Sequence, residues 1–513
     1  MVSRTTTVAF LGMDAHKVDV QAHFGPGMPS FQIVGLPDKA IGESRERVRA
    51  AIAALGLALP AKRITINLAP ADLAKTGSHY DLPIALALLS EMGILTSEDN
   101  DEFIALGELA LDGRIGFVPG ILPAAFFATQ QERSLICPKQ CGYEATFGGE
   151  NLNVVAADNL GELIHHLRGT RSLPPPSPPN PDSPVPLDHA PDMVDIKGQE
   201  HAKRAIEIAA CGGHNVLMRG PPGAGKSMLA SRLWTLLPPL TPRESLDVSM
   251  IHSLAGTLPN GTILYQRPYR APHHSASLVA LIGGDSKARP GEVSLTHRGV
   301  LFLDELPEFS RATLEALRQP LESGEVLISR AQARFSYPAR FQLVAAMNPC
   351  PCGYHGESNH HCRCKPHAID SYQNRISGPL YDRIDIHIDM PALSAKELMG
   401  KAPPENSTTI AERVHNVREL QRQRFLRLGA DTLHTNAEAD GKLLTTIAPL
   451  ESAAQQTLAS AIDQMNLSAR AYHRILRIAR TICDMETLDA DQTISAYHIA
   501  QALEYKRRLA IEA

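Results

Sequence analysis

NVLMRGPPGAGKSMLA, residues 215–230, is an apolar strand that runs into a glycine-rich turn and then opens a helix. Gly220, Pro221, Pro222, Gly223, Ala224, Gly225, Lys226 and Ser227 satisfy the spacing G-x-x-x-x-G-K-[ST] in the strand-to-helix context that motif demands. The glycines let backbone N–H groups turn inward around a phosphate chain. Lys226 supplies a point charge at the β- and γ-phosphates, and the Ser227 hydroxyl is placed for Mg²⁺. The pattern implies ATP and Mg²⁺ as cofactors; the plainer reading, a structural glycine turn, does not explain the lysine and hydroxyl at the helix start.

Two further apolar strands end in polar residues. GVLFLDEL closes on Asp304 and Glu305, and a buried strand has no packing reason to end in adjacent carboxylates. Asp304 is suited to hold Mg²⁺, directly or through water, and Glu305 to orient and deprotonate an attacking water. FQLVAAMN ends in Asn348, which can position that water or sense the γ-phosphate. Phosphoryl transfer relies on positioning and cations, so arginines are expected nearby. Arg383, in GPLYDRIDIHI, and Arg470, in NLSARAYHRILRIAR, are candidates, with solvated surface arginines as the bland alternative.

The chain has 513 residues, room for roughly three domains of about 150 residues. Its 43% hydrophobic and 20% charged content suits buried cores. A net charge of −5 argues against a histone-like coat, but not against nucleic acid bound on inner loops. No apolar run of 18 or more residues offers a membrane span, and the N-terminus turns polar too early for a secretory leader. Four of the eight cysteines lie within residues 350–364 and the others are scattered, which reads as a reduced, cytoplasmic chain with one metal site.

Residues 171–192, RSLPPPSPPNPDSPVPLDHAPD, read as an extended proline-rich linker. Before it, VDVQAHF and RITINL read as strands, ESRERVRAAIAALG and DLPIALALLSEMG as helices, giving an α/β domain over residues 1–170. After it, the helix GQEHAKRAIEIAACGG, the strand NVLMRG, the helix GKSMLASRLWTLL and the strands LVAAMN and GVLFLDE make a parallel-sheet domain over residues 193–391. Residues 392–513 read as a helical bundle.

GPPGAGKS, LFLDE, AAMNPCPCG and ISGPLYDRIDIHI, in that order, resemble the magnesium-chelatase-like AAA+ proteins of bacteria, the YifB or ComM family. The resemblance runs over essentially the whole chain, including FQIVGLPDKAIGESRERVRAAI. It implies a central P-loop ATPase with a helical lid, a homo-hexameric ring and ATP-driven movement on single-stranded and branched DNA without sequence preference. It also implies that Arg383 is the arginine finger reaching a neighbour's ATP, with Arg375 as an alternative, and that Arg470 is the sensor-2 arginine. Related ring helicases carry an insert and a hairpin that point into the pore. Here these would be residues 265–299, with Arg267, Arg270, His273, His274, Lys287 and Arg289, and residues 325–341, with Arg330 and Arg334 near the tip. Arg267, Arg270, Arg330 and Arg334 are the expected DNA contacts, made to phosphate and not to bases.

Residues 1–170 resemble the Lon-protease-type fold, with KTGSHYDLPIALAL and GELALDGRIGFVPGILPAAFFA in place of the segments that carry its serine and lysine. The nucleophile position falls on Asp81 and the lysine position on Ala124, with Ser78 three residues early, so a non-proteolytic domain is expected. Cys350, Cys352, Cys362 and Cys364 form two C-x-C pairs able to complete a tetrahedral structural zinc site. His355, His360, His361 or His367 could replace one of them. The function expected is therefore a DNA helicase or branch migrator. The alternative is a magnesium-chelatase-type motor that remodels a protein partner.

Overall fold

The computed structural model describes residues 2–96, 102–177, 190–285, 289–329, 334–357, 361–399 and 405–506. Arg330, Lys287, His360, most of the expected linker and the last seven residues lie outside that set.

The central domain is built on five parallel strands in the order Tyr269–Arg270, Val300–Leu303, Gln342–Met347, Val216–Arg219, Ile386–Asp389. VLFL and QLVAAM are buried along their whole length, as expected of parallel strands covered on both faces. Alternate residues enter different cores. Val216, Met218, Val300, Val344, Ala346, Ile386 and Ile388 face the side packed by Glu200–Gly212 and the C-terminal helices. Leu217, Leu301, Leu303, Leu343, Ala345 and Met347 face the opposite side, under the hairpin. The expected single helix after the glycine-rich turn is broken into Lys226–Ala230 and Leu233–Leu236. Arg232, at the break, folds back to the Met228 carbonyl (2.9 Å) and reaches the Asp192 carbonyl (3.1 Å).

The N-terminal domain carries a seven-stranded mixed sheet in the order Ser30–Val34, Arg63–Ala69, Asp14–Gly25, Ser3–Leu11, Phe103–Ala105, Ser134–Pro138, Val154–Ala157. Helices Lys39–Ala54 and Asp81–Glu91 bury one face, and Ile121–Gln130 covers the other. Two joints fasten this domain to the central one. Leu122 N–H donates to Ser253 Oγ (3.2 Å) and Glu144 Oε1 (3.1 Å), Gly120 N–H donates to the Ser253 carbonyl (2.9 Å), and the Ser253 hydroxyl donates to Glu144. Burial pushes the Glu144 carboxyl above its usual range. At the second joint Gly12, in the turn between the first two strands, lies against Phe335 and Ser336 of the hairpin formed by Glu325–Ser329 and Arg334–Pro338. That hairpin falls where the sequence suggested one.

The last strand ends at Asp389, and Ser407–Arg427, Ser452–Met465, Ala469–Thr487 and Ala496–Glu504 form the C-terminal helical region. A charged knot lies at its centre. Asp484, fully buried, accepts from Arg424, from Arg480 Nε (2.8 Å) and from Asn436 Nδ2 (2.9 Å). Arg480 is fully buried as well and completes its bonding on the carbonyls of Gln492 and Asp489. Among the described residues no helix is long and apolar enough to cross a membrane.

Removing the carboxylate would leave two buried guanidinium groups without a counter-charge. Asp484→Ala is expected to destabilise the helical region by about 3–5 kcal/mol, read as a lower denaturation midpoint of its unfolding transition.

Candidate functional site

The glycine-rich loop leaves the C-terminal end of Val216–Arg219 between two neighbouring strands. Gly220 N–H donates to the Met347 carbonyl (3.2 Å), and a Cβ at this position would stand 2.2 Å from the Met390 carbonyl oxygen, so only glycine fits. Gly225 takes φ +89 at the start of the next helix, a left-handed conformation that side chains disfavour. The carbonyl of Ala224 is held by Gln199 Nε2 (3.3 Å), which also donates to Pro391 (2.8 Å).

Four of the residues expected in the site meet here. Lys226 Nζ donates to the carbonyls of Gly220 (2.7 Å) and Pro221 (2.9 Å) and to Asn348 Oδ1 (3.1 Å). Ser227 Oγ donates to Asp304 Oδ2 (2.8 Å). Burial lowers the Lys226 pKa, with Asp304 and Glu305 opposing it. A cation, a hydroxyl, a carboxylate and an amide from three separate strand ends can thus face one phosphate chain. Glu305 follows Asp304 in a left-handed conformation (φ +51), which costs a non-glycine residue about 1–3 kcal/mol. Its carboxylate is half exposed, and Oε2 lies 3.2 Å from His274 Nδ1.

Arg383 and Arg470 are at the other end of the same sheet. Asn215, just before Val216–Arg219, donates from Nδ2 to the Arg383 carbonyl (3.1 Å). A four-residue strand at about 3.3 Å per residue puts roughly 13 Å between that end and the glycine-rich loop. Arg383 donates to Pro379 O (2.7 Å) and Glu322 Oε2 (2.5 Å). The Glu322 carboxyl is held below its usual range first by Arg383, with Arg470 adding to it. Both arginines line a cavity of about 470 Å³ between the central domain and the C-terminal helices, together with Arg340, Arg474 and Arg477. Arg375 is elsewhere, paired with Glu308 at 2.9 Å.

Sequence reasoning missed the support under Arg383. Against burial, His214 and the charges of Arg474 and Arg477 bring Asp385 down to about 2. Asp385 accepts from Asn215 N–H (3.2 Å) and pairs with Arg474 Nε (3.3 Å), tying the strand entrance to helix Ala469–Thr487. No local pattern marks such a contact between residues so far apart in the chain.

Two of the expected DNA contacts are paired within the chain. Arg267 is largely covered: it donates to Pro238 O (2.7 Å) and Arg298 O (2.8 Å) and pairs with Glu244 (3.2 Å). Arg270 is locked to Glu292 by two bonds of 2.7 and 2.6 Å. Each has an acid partner, because acids distant in sequence fold back onto the insert. Arg334, by contrast, is exposed on the hairpin, and Arg289 is exposed on the insert.

The four cysteines converge. All four sulfurs lie within 4.8 Å of one another, with separations of 3.3 Å (Cys350–Cys352), 3.6 Å (Cys352–Cys362) and 3.7 Å (Cys350–Cys362). Tetrahedral zinc with Zn–S bonds of about 2.3 Å needs sulfurs about 3.8 Å apart, so the set is compatible with zinc. The cluster abuts the glycine-rich loop: a Cβ on Gly353 would stand 2.6 Å from Pro222 Cδ. In the N-terminal domain Asp81 is fully buried, bound by Arg47 at 2.5 and 3.0 Å, and Ala124 is buried in Ile121–Gln130. Ser78 donates to Glu108. Neither Asp81 nor Ala124 offers the serine or the lysine that a proteolytic dyad would need at these positions.

Comparison with known proteins covers the chain from end to end. Residues 192–398 match the family described as magnesium chelatase, subunit ChlI; residues 20–141 match subunit ChlI of Mg-chelatase, and residues 404–506 its C-terminal part. The chain is 44% identical over 501 residues to the competence protein ComM of Haemophilus influenzae, covering 97% of this chain and 96% of the relative. It is 44% identical over 503 residues to YifB of Escherichia coli, covering 98% and 96%. It is also 30% identical over 171 residues to the magnesium-chelatase 38 kDa subunit of Rhodobacter capsulatus, covering 30% of this chain and 49% of that one.

The tightness of the loop's first residue is testable. Gly220→Ala must push the loop off Met390 and is expected to cost about 1–3 kcal/mol of stability, measured by chemical denaturation against a Gly378→Ala control, a position with open space around it and no left-handed backbone.

Proposed function

The chain belongs to the magnesium-chelatase-like family of AAA+ proteins that includes YifB and ComM, and on that footing we propose that it is an ATP-driven DNA motor working as a homo-hexameric ring. The observation that carries the reading is the cluster of Lys226, Ser227, Asp304 and Asn348 at one end of the sheet, with the arginine-lined cavity at the other. In this reading Lys226 and the loop N–H groups hold the ATP phosphates, and Ser227 and Asp304 hold Mg²⁺. Asn348 and Glu305 place the attacking water, and Glu305 takes its proton. Arg383 and Arg470 lie too far from their own glycine-rich loop to serve it, so they serve the nucleotide of the next subunit. A head-to-tail interface of that kind closes into a ring.

The DNA assignment rests on likeness over nearly the full length to a relative whose name records competence, whereas the chelatase subunit matches less than a third of the chain. We assign movement of branched DNA to this motor, as in homologous recombination and natural transformation, with Arg334 and the hairpin touching the phosphate backbone. We assign zinc to the four cysteines, where it would fix the loop that braces Pro222. Four thiolates this close repel one another unless a cation neutralises them.

Four outcomes are expected. Lys226→Ala should lose nucleotide binding, while Glu305→Gln should bind ATP and hydrolyse it at least about 100-fold more slowly. Forked or four-way DNA should stimulate the wild-type ATPase, with affinity falling as salt rises. A wild type that hydrolyses ATP but ignores DNA would leave the motor and remove its substrate. Arg383→Ala should bind ATP yet hydrolyse poorly, and mixing it with Lys226→Ala should restore part of the activity; no restoration at any ratio would refute action on a neighbour. Elemental analysis should find about one zinc per chain, lost in Cys352→Ser/Cys364→Ser together with a lower melting temperature.

A further inference from the structure

The cavity of about 470 Å³ between the central domain and the C-terminal helices holds more arginines than Arg383 and Arg470 account for. Arg267, Arg298, Arg340 and Arg418 line it as well. The first three stand just before the strands Tyr269–Arg270, Val300–Leu303 and Gln342–Met347, and Arg418 comes from the helix Ser407–Arg427. Two carboxylates serve these four. Glu244 is shared by Arg267 (3.2 Å) and Arg298 (3.6 Å), and Glu438 by Arg298 (3.9 Å) and Arg340 (3.7 Å). The other acids of the lining, Glu322, Asp385 and Asp440, pair with Arg383, Arg474 and Arg477. Arg418 pairs with no acid among the described residues; its Nε donates to the Ala210 carbonyl (2.7 Å). His297 adds no charge: its Nδ1 accepts from Arg340 N–H (3.1 Å), and burial, helped by the neighbouring arginines, holds its pKa down at about 3. Four guanidinium groups against two carboxylates leave two positive charges in excess.

A charge withdrawn from water is costly unless a counter-charge meets it. Burial pushes the Arg418 pKa down to about 10, and the charge of Arg267 pushes it the same way. Arg298 Nε is buried without a hydrogen bond, and its 3.6 Å approach to Glu244 is too long for one. Arg298 is also held in a left-handed backbone (φ +59), which a non-glycine residue keeps only where its surroundings impose it. We propose that this cavity is an anion site in its own right, where a phosphate-class oxyanion binds between Arg418 of the helical region and Arg298 and Arg340 of the central domain. The planar fork of a guanidinium matches the oxygens of a phosphate, and the excess of two charges matches a doubly charged ion. The same oxygens are offered by free phosphate or pyrophosphate and by the phosphate chain of a nucleotide. An ion held there joins the helical region to the loops that enter the sheet, so its binding stabilises the contact between them. No step of this involves hydrolysis, so the site stands or falls independently of the ATPase reading above.

The test uses sodium pyrophosphate as the probe, with calorimetric titration and thermal denaturation of the full chain in chloride buffer at constant ionic strength. Lys226→Ala is the background throughout, so that the glycine-rich loop does not contribute. The expected result is saturable binding of about one pyrophosphate per chain, with the melting temperature raised by roughly 3–6 °C at saturation. Adding Arg418→Gln should weaken binding at least about tenfold. Without the anion that variant should melt no lower than its parent, because the charge it removes has no partner. Arg418→Lys should keep part of the affinity, and Arg470→Gln should leave it unchanged. Arg340→Gln stands in if Arg418→Gln does not fold, with the same loss expected. Orthophosphate and ADP are titrated beside pyrophosphate: competition by orthophosphate assigns the site to the free ion, and binding of ADP alone, with the same dependence on Arg418, assigns it to a nucleotide. Pyrophosphate binding that is indifferent to Arg418→Gln and Arg340→Gln would overturn the proposal, as would no binding of any of the three at millimolar concentration.

Discussion

The hydrogen-bonded seat of Val216–Arg219, between Gln342–Met347 on one side and Ile386–Asp389 on the other, is the constraint from which both working ends of the central domain follow. Its register aligns Arg219 with Met347 and Asp389, so the loop that begins at Gly220 must leave between two neighbouring strand ends. At its start the same pairing sets Val216 against Ile386, and the residues just before them, Asn215 and Asp385, meet by a direct bond. One short strand therefore spaces the lysine and the carboxylates from the arginines. Because the spacing is set by backbone geometry, no choice of rotamer can bring Arg383 to the Lys226 of its own chain.

Much of this was readable in the residues, and the reasons differ from place to place. The glycine-rich loop was legible because its chemistry is local: three glycines, a lysine and a hydroxyl in eight residues leave few alternatives. Asp304, Glu305 and Asn348 were legible because polar residues at the tips of wholly apolar strands have no packing role. The four cysteines were legible by crowding. The arginines of the insert were not. Arg267 and Arg270 look alike in sequence to an exposed basic pair, yet Glu244 and Glu292, each about twenty residues away, neutralise them. Charge on a loop predicts solvent only if no acid folds back to it, and that is a tertiary fact. His274 failed for the same reason in reverse: its partner was known, but nothing local said that the edge strand would carry the insert past it.

Buried carboxylates mark the joints of the molecule, and each is satisfied differently. Asp484 holds the helices together through two arginines and an asparagine. Asp385 stays charged because His214 and Arg474 flank it where sheet and helices meet. Glu144, between the N-terminal and central domains, has a serine hydroxyl and a backbone N–H, and no cation among its described partners, and burial pushes its pKa up. The first two joints are rigid ionic contacts that would be costly to part. The third is held by hydrogen bonds from uncharged donors without an ion pair, which water can replace at lower cost.

The contact of Gly12 with the second strand of the hairpin ties the N-terminal sheet to the central domain. Ser3–Leu11 and Asp14–Gly25 are paired in register over nine residues, a twisted ribbon about 30 Å long with that turn at its tip. Phe10 and Met13, partly buried, pack against the core beneath the hairpin, so the tip is held by apolar contact. The hairpin and the seven-stranded sheet are thus coupled through one continuous pair of hydrogen-bonded strands, and a force on either is borne by that ribbon.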